Sequence, residues 1–325
     1  MYSSDIKNLH IELTNRCNAG CPSCARTGNF PGFLSETIFN SGMHDLSLDD
    51  IKSICEQLPK VKKVDLCGNY GDPAVAPEFK EIVHYLSSKN IRSIISTNGA
   101  PRKPEYWEEL ALKNVRIAFH IDGDENTNHL YRIGTNYHKI IDNAKAFIKA
   151  GGYARWVFIP FEHNEHVVEK CKKLSKDLGF KEFNIKKSYR VTNLSPRAEV
   201  KINLPKNKKY INVIATDNLK EKCIDCKVSN NDEIYISCNG DIYPCCWWAG
   251  YFWDRKFLKE KNEKFNYLVD FENNFKKKSI KDILNSYINK TDIYELVWDY
   301  KKFSVCNKHC GTGYLKDRYV ENRYV

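Results

Sequence analysis

The chain has 325 residues, 42% of them hydrophobic, with 51 lysines and arginines against 41 aspartates and glutamates, a formal net charge of +10. That length suits one large domain plus a small one. No run of eighteen apolar residues is present, and the opening Met1-Tyr2-Ser3-Ser4-Asp5-Ile6-Lys7 lacks the charged-then-apolar layout of a secretory signal, so a soluble, cytoplasmic protein with no membrane segment is expected.

From the start to about residue 190, short β-branched or apolar runs alternate with amphipathic segments, as in parallel strands joined by crossover helices. Strands are predicted near residues 8–14, 61–67, 92–97, 115–121, 153–159 and 182–187. Helices are predicted over Leu48 to Leu58, Glu78 to Ser88, Pro104 to Leu112, Tyr137 to Ala150 and Glu165 to Leu178. Pro104 and the pair Gly151-Gly152 are ordinary helix-boundary signals. Six such steps predict an α/β fold, a partial (β/α)6 TIM-like barrel, whose chemistry would sit at the carboxyl ends of the strands. The unusual residues fall there: Cys17 to Cys24 after the first strand, Gly68-Asn69-Tyr70-Gly71-Asp72-Pro73 after the second, Thr97-Asn98-Gly99 after the third and Asp122-Gly123 after the fourth.

Two segments stand outside the alternation. Residues 25–46 form a long glycine-punctuated stretch where a lid or substrate-contact loop would lie. Residues 191–222 are polar and irregular and lead to a C-terminal part that carries seven of the thirteen cysteines. The chain therefore divides into residues 1–200, the barrel, and 201–325, a small cysteine-rich α+β module with a β-hairpin. Neither an internal repeat nor a low-complexity linker is present. The densest basic runs, Lys206-Asn207-Lys208-Lys209 and Lys276-Lys277-Lys278, read as solvated faces, although a basic balance also suits an anionic substrate.

Thirteen cysteines in a chain without an export signal point to metal or redox chemistry rather than a disulfide scaffold. Cys17, Cys21 and Cys24 share one short loop with C-x3-C-x2-C spacing. Three thiolates there can hold three irons of a 4Fe–4S cube and leave the fourth iron open to a reactant. A zinc knuckle or three unrelated thiols are the alternatives.

This spacing resembles that of the radical S-adenosylmethionine (radical SAM) enzymes. The resemblance implies a SAM-binding 4Fe–4S cluster at Cys17, Cys21 and Cys24, reductive cleavage of SAM to a 5′-deoxyadenosyl radical, and hydrogen abstraction from a substrate. Gly68-Asn69-Tyr70-Gly71-Asp72-Pro73 resembles the family's GGEP motif, with Asp72 where glutamate is usual; glycines there let backbone carbonyls approach the methionine ammonium. Ser96-Thr97-Asn98-Gly99 and Phe119-His120-Ile121-Asp122-Gly123 resemble strand-end motifs lining the SAM ribose and substrate space. Arg132 matches an arginine positioned for the SAM carboxylate. Gly68, Asn69, Tyr70, Gly71, Asp72, Asn98, Asp122 and Arg132 are thus expected cofactor contacts, and no catalytic residue is assigned. The residue before the third cysteine, usually aromatic and packed near the adenine, is Ser23 here.

In the C-terminal part, Cys226 is followed by thirteen residues, Gly240, four residues and Cys245, with Cys306-x3-Cys310 downstream. This resembles the Twitch module, a shortened SPASM domain, which implies an auxiliary 4Fe–4S cluster on Cys226, Cys245, Cys306 and Cys310. Ile234 to Ser237 and Asn239 to Tyr243 read independently as a hairpin that would bring Cys226 and Cys245 to neighbouring positions. Cys223 forms a C-x2-C with Cys226 and is a rival ligand, and a zinc ribbon of Cys223, Cys226, Cys306 and Cys310 is the structural alternative. Cys246, read as lying on a strand, should face away from Cys245. Cys55, Cys67, Cys171 and Cys238 read as buried or incidental thiols, and His44, His120, His163 and His309 as polar loop or core residues.

A cluster saturated by four cysteines would transfer electrons; with only three of its thiols as ligands, its open iron could instead anchor the substrate. The implied substrate is a peptide, or a small molecule such as a sugar or alcohol, and the implied electron donor a flavodoxin or ferredoxin. The first strand begins within about ten residues, so no added N-terminal peptide-binding domain is expected. From another class, a non-enzymatic iron–sulfur or zinc scaffold could bind nucleic acid through its lysines and Trp247-Trp248, but no nucleic-acid module accompanies them.

Overall fold

The computed structural model describes residues 6–24, 26–27, 42–187, 201–211, 226–253, 272–289, 310 and 319–324. Cys223, Cys306, His309 and most of the segments 25–46 and 191–222 lie outside the described residues.

Six parallel strands follow the expected order: β1 (Asn8–Ile11), β2 (Lys63–Cys67), β3 (Arg92–Thr97), β4 (Val115–His120), β5 (Tyr153–Phe158) and β6 (Glu182–Lys186). The intervening helices are α1 (Leu48–Gln57), α2 (Phe79–Ser88), α3 (Pro104–Glu108), α4 (Asn128–Tyr131), α5 (Tyr137–Lys149) and α6 (Val168–Asp177). Three of the helix starts have a local cause in the sequence. Ser47 and Asp50 form a reciprocal capping box on α1, Pro104 opens α3, and the Asn136 side chain accepts from Lys139 N to cap α5. β1 stops at Ile11, three residues short of expectation, because Thr14 bridges to Asp45 instead of continuing the ladder.

Alternation along the strands separates two faces. On β2, Val64 and Leu66 are buried while Lys63, Asp65 and Cys67 are partly exposed, and β1 and β3 alternate in the same way. The buried face packs against the helices around a row of rings: Trp107, Phe119, Phe147, Trp156, Phe180 and Phe183, with neighbouring centroids 5.3–6.2 Å apart. The other face carries most of the polar strand residues, among them His10, Asp65, Cys67, Ser96, Arg116 and His120.

The C-terminal part joins the same sheet. α7 (Lys227–Asn230) leads into β7 (Glu233–Ile236), which pairs parallel with β1, Asn8 opposite Glu233 and Ile11 opposite Ile236. β8 (Ile242–Tyr243) returns antiparallel to β7, so the expected hairpin forms, with Gly240 at φ +95° in its turn. The strand ends at Tyr243, before Pro244; Cys246 is the first residue of helix α8 (Cys246–Trp253), not a strand residue facing away from Cys245. Proline lacks the N–H a ladder needs, which accounts for the change. α9 (Ile280–Asn289) is tied to α1 by Ile280 N donating to Gln57 Oε1 (2.8 Å) and by the Lys276–Asp50 ion pair (2.9 Å). β9 (Tyr319–Arg323) runs antiparallel to β6, giving a nine-stranded sheet in the order β8-β7-β1-β2-β3-β4-β5-β6-β9. The barrel is partial, with β7–β8 along one edge and β9 along the other. No helix among the described residues is long and apolar enough to cross a membrane.

Trp156 is fully buried and its Nε1 donates to the Ile121 carbonyl at 2.9 Å. Trp156→Ala should lose about 3–5 kcal/mol of stability, read as a lower midpoint in chemical denaturation with α/β circular dichroism retained in buffer.

Candidate active site

The loop after β1 is built first by its polar ends. Thr14 Oγ1 donates to Asp45 Oδ1 (2.6 Å) and accepts from Arg16 N (3.0 Å), while Arg16 Nε donates to Asp45 Oδ2 (2.9 Å). Beyond this anchor, Gly20 N donates to the Ile133 carbonyl (2.8 Å) and Cys24 N to the Cys21 carbonyl (3.1 Å), so the cysteine loop rests on the segment after α4. None of the eleven described cysteines is in a disulfide.

Donors converge on the loop's sulfurs. Ala19 N lies 3.4 Å from Cys17 Sγ, Asn98 Nδ2 3.9 Å from the same sulfur, and Arg132 Nη1 3.6 Å from Cys21 Sγ. Burial pushes the Cys17 thiol up to about 12, with the Asp72 charge adding to it, and the Cys21 thiol up to about 11 against the pull of the Arg132 guanidinium. A metal centre must therefore displace protons here, and the aimed donors favour the thiolates it would create. Three thiols on one short loop, two of them with such donors, fit a 4Fe–4S cube. A cube takes each thiolate on a different iron.

The glycine loop after β2 lies directly on the cysteine loop. A Cβ on Gly71 would stand 1.8 Å from the Thr14 carbonyl oxygen and 2.9 Å from that of Arg16, and one on Gly68 would stand 1.7 Å from the Gly71 carbonyl oxygen. Only backbone fits in either place. Asp72 N donates to the Arg16 carbonyl (2.8 Å), closing the contact.

Asp72 itself turns to the next strand end. Its carboxylate accepts from Ala74 N (3.1 Å), Asn98 N (2.7 Å) and Thr97 Oγ1 (2.8 Å), joining the loops after β2 and β3. Asn98 Nδ2 then reaches back to Asn18 Oδ1 (2.9 Å) in the cysteine loop. Asp122, after β4, accepts from Arg132 Nε (2.6 Å) and Ile159 N (2.7 Å), so Arg132 is held between Asp122 and Cys21. Burial pushes both carboxyls above their ordinary range against these hydrogen bonds. Asn69 donates to the Cys246 carbonyl (3.3 Å), and Tyr70 is buried. The eight expected cofactor contacts and the three cysteines thus gather at one end of the sheet.

Glu12 and Tyr235 were not among the expected site residues. Glu12 is fully buried, and its Oε1 accepts from Tyr70 N (2.7 Å) and Gly71 N (3.1 Å) while its Oε2 accepts from the Tyr235 hydroxyl. A carboxylate inside the run Ile11-Glu12-Leu13 was the available signal. In the C-terminal part, Cys226 precedes α7, Cys245 precedes α8 with Ala249 N on its carbonyl (3.0 Å), and Cys310 is partly buried.

A sequence profile of the radical SAM superfamily matches residues 11–174. The chain belongs to this superfamily. Membership implies SAM and one 4Fe–4S cluster as cofactors. An AdoMet-dependent heme synthase of Nitratidesulfovibrio vulgaris is 25% identical over 128 residues, covering 39% of this chain and 32% of that protein. Mycofactocin maturase MftC of Mycobacterium tuberculosis is 28% identical over 151 residues, 45% of this chain and 35% of that one. The matched stretch thus spans about a third of each curated relative. The crystal structure of Streptococcus suis SuiB bound to S-adenosylmethionine superimposes with a TM-score of 0.59 at 14% identity, covering 93% of this chain and 72% of that one, which shows a shared fold.

Gly71→Ala should force the glycine and cysteine loops apart, so that protein reconstituted anaerobically with iron and sulfide retains little iron per chain. Gly250→Ala, whose Cβ would meet nothing closer than 3.7 Å (Tyr70 Oη), should load iron as the wild type does.

Proposed function

We propose that the protein is an enzyme that reductively cleaves SAM and abstracts a hydrogen atom from its substrate. The observation that carries this reading is the backbone contact between the cysteine loop and the glycine loop at the carboxyl ends of β1 and β2, with Gly71 against the Thr14 carbonyl. Cys17, Cys21 and Cys24 would hold the cluster, which supplies, once reduced, the electron that breaks the sulfur–C5′ bond of SAM. Asn98 and Arg132 donate toward the thiolates of Cys17 and Cys21 and lower their charge density. Carbonyls of the loop Gly68 to Asp72 would receive the SAM ammonium, with Asn69 and Tyr70 shaping the loop. Asp122 orients Arg132, whose remaining guanidinium N–H groups suit a carboxylate.

We place a second 4Fe–4S cluster on Cys226, Cys245, Cys306 and Cys310, in a module spanning residues 201–325, with electron transfer as its role. What supports it is the ligand spacing and the β7–β8 hairpin between Cys226 and Cys245. For the substrate we favour a peptide over a small alcohol or sugar. Support comes from the 28% identity to a mycofactocin maturase and from the likeness, at a TM-score of 0.55, to SuiB bound to its precursor peptide SuiA. A low-potential donor such as a flavodoxin or ferredoxin would reduce the clusters.

Anaerobically reconstituted wild-type protein should carry about eight irons per chain and, with dithionite and SAM, form 5′-deoxyadenosine. Cys17→Ala should form none. Replacing Cys226 and Cys245 together by alanine should bring iron to about four per chain while SAM cleavage persists; iron that stays at the wild-type level would remove the second cluster from the account.

A further inference from the structure

The carboxylate of Glu12 is shared between two parts of the chain that are distant in sequence. One oxygen holds the N–H groups of Tyr70 and Gly71, the centre of the glycine loop, and the other takes the hydroxyl of Tyr235, 223 residues further on in β7. Further contacts run across the same seam. Asn69 Nδ2 donates to the Cys246 carbonyl at 3.3 Å, and the His10 ring meets Tyr235 edge-on, centroids 5.0 Å apart. The loop from residue 69 to 71 is therefore clamped from two sides, by the cysteine loop at Gly71 and by the C-terminal hairpin and α8 at Glu12 and Asn69.

A loop clamped in this way has no ordering entropy left to lose when it takes a ligand, and a loop released on one side must be ordered by the ligand itself. Glu12 is fully buried, so no water replaces the Tyr235 hydroxyl if that donor is removed. Burial pushes the Glu12 carboxyl up, and Tyr235 provides the largest of the pulls that oppose it.

The geometry points to Glu12 as a positioning residue for SAM, and to its hydrogen bond with Tyr235 as the link through which the C-terminal hairpin sets SAM affinity. This rests on the reading of residues 68–72 as the SAM-binding loop. Neither side chain is asked to touch SAM. Both act through the backbone of Tyr70 and Gly71, so the effect falls on affinity rather than on bond cleavage.

The test uses the full-length, cluster-loaded protein and three variants, Tyr235→Phe, Glu12→Gln and Glu12→Ala. Measured for each are the SAM dissociation constant by anaerobic calorimetry, KM for SAM against kcat for 5′-deoxyadenosine, iron per chain and melting temperature. Tyr235→Phe should weaken SAM binding roughly tenfold, with kcat at saturating SAM and iron per chain close to wild type and the melting temperature lower by a few degrees, because a buried carboxylate oxygen loses its donor. Glu12→Gln keeps an acceptor for the two backbone N–H groups and should fall between Tyr235→Phe and wild type, whereas Glu12→Ala should bind SAM more weakly than either. Wild-type affinity in both Tyr235→Phe and Glu12→Gln would overturn the coupling alone. So would a Tyr235→Phe protein that loses iron along with affinity, because the pair would then only hold the fold together. A wild-type protein that loads iron but binds no SAM would overturn the reading of the loop, and the coupling with it.

Discussion

The approach of the Gly71 backbone to the Thr14 carbonyl is the contact on which the site depends. No side chain fits between the loops after β1 and β2, and Asp72 N closes the contact by donating to the Arg16 carbonyl. Three buried carboxylates extend the arrangement around the strand ends. Glu12 joins the loop after β2 to the C-terminal hairpin, Asp72 joins that loop to β3, and Asp122 joins the β4 loop to Ile159 and to Arg132. Each accepts at least one backbone N–H in a water-poor setting, where a hydrogen bond is strong and an unpaired donor costly. The sulfurs of Cys17 and Cys21 are therefore presented by a rigid frame, with their donors already aimed.

The strands of the barrel could be read in advance because each is a short apolar run that ends in turn residues: Cys67 before Gly68-Asn69, Thr97 before Asn98-Gly99, His120 before the approach to Asp122-Gly123. The cysteine spacing was legible for the same reason, since it is local. What spans the chain was not. Nothing in Glu233–Ile236 states that it lies parallel to Asn8–Ile11, and nothing in Tyr319–Arg323 names Glu182–Lys186 as its partner. Glu12 is a lone carboxylate in an apolar run, and its role follows only once β7 brings Tyr235 to it. Pro244 did signal that Cys246 leaves the strand, and the extended reading of that cysteine passed over it.

The placement of β7 and β9 gives the C-terminal part a role in the barrel. Both edges of the six-stranded parallel sheet would otherwise expose unpaired backbone groups, and these strands cover them. The β7–β8 hairpin leads within two residues to Cys245, so the chain that would carry the second cluster also forms one wall of the glycine loop. The cysteine loop and the glycine loop lie at the same end of the sheet, the end at which we propose the cofactors bind.

Electron paramagnetic resonance of a variant with Cys226, Cys245, Cys306 and Cys310 replaced by alanine, reduced and measured with and without SAM, tests the central claim most directly. The account predicts the signal of one reduced 4Fe–4S cluster that changes its g-values when SAM is added, as a cluster with an open iron must. A cluster signal that SAM leaves unaltered, or no cluster signal despite a folded chain, would contradict it.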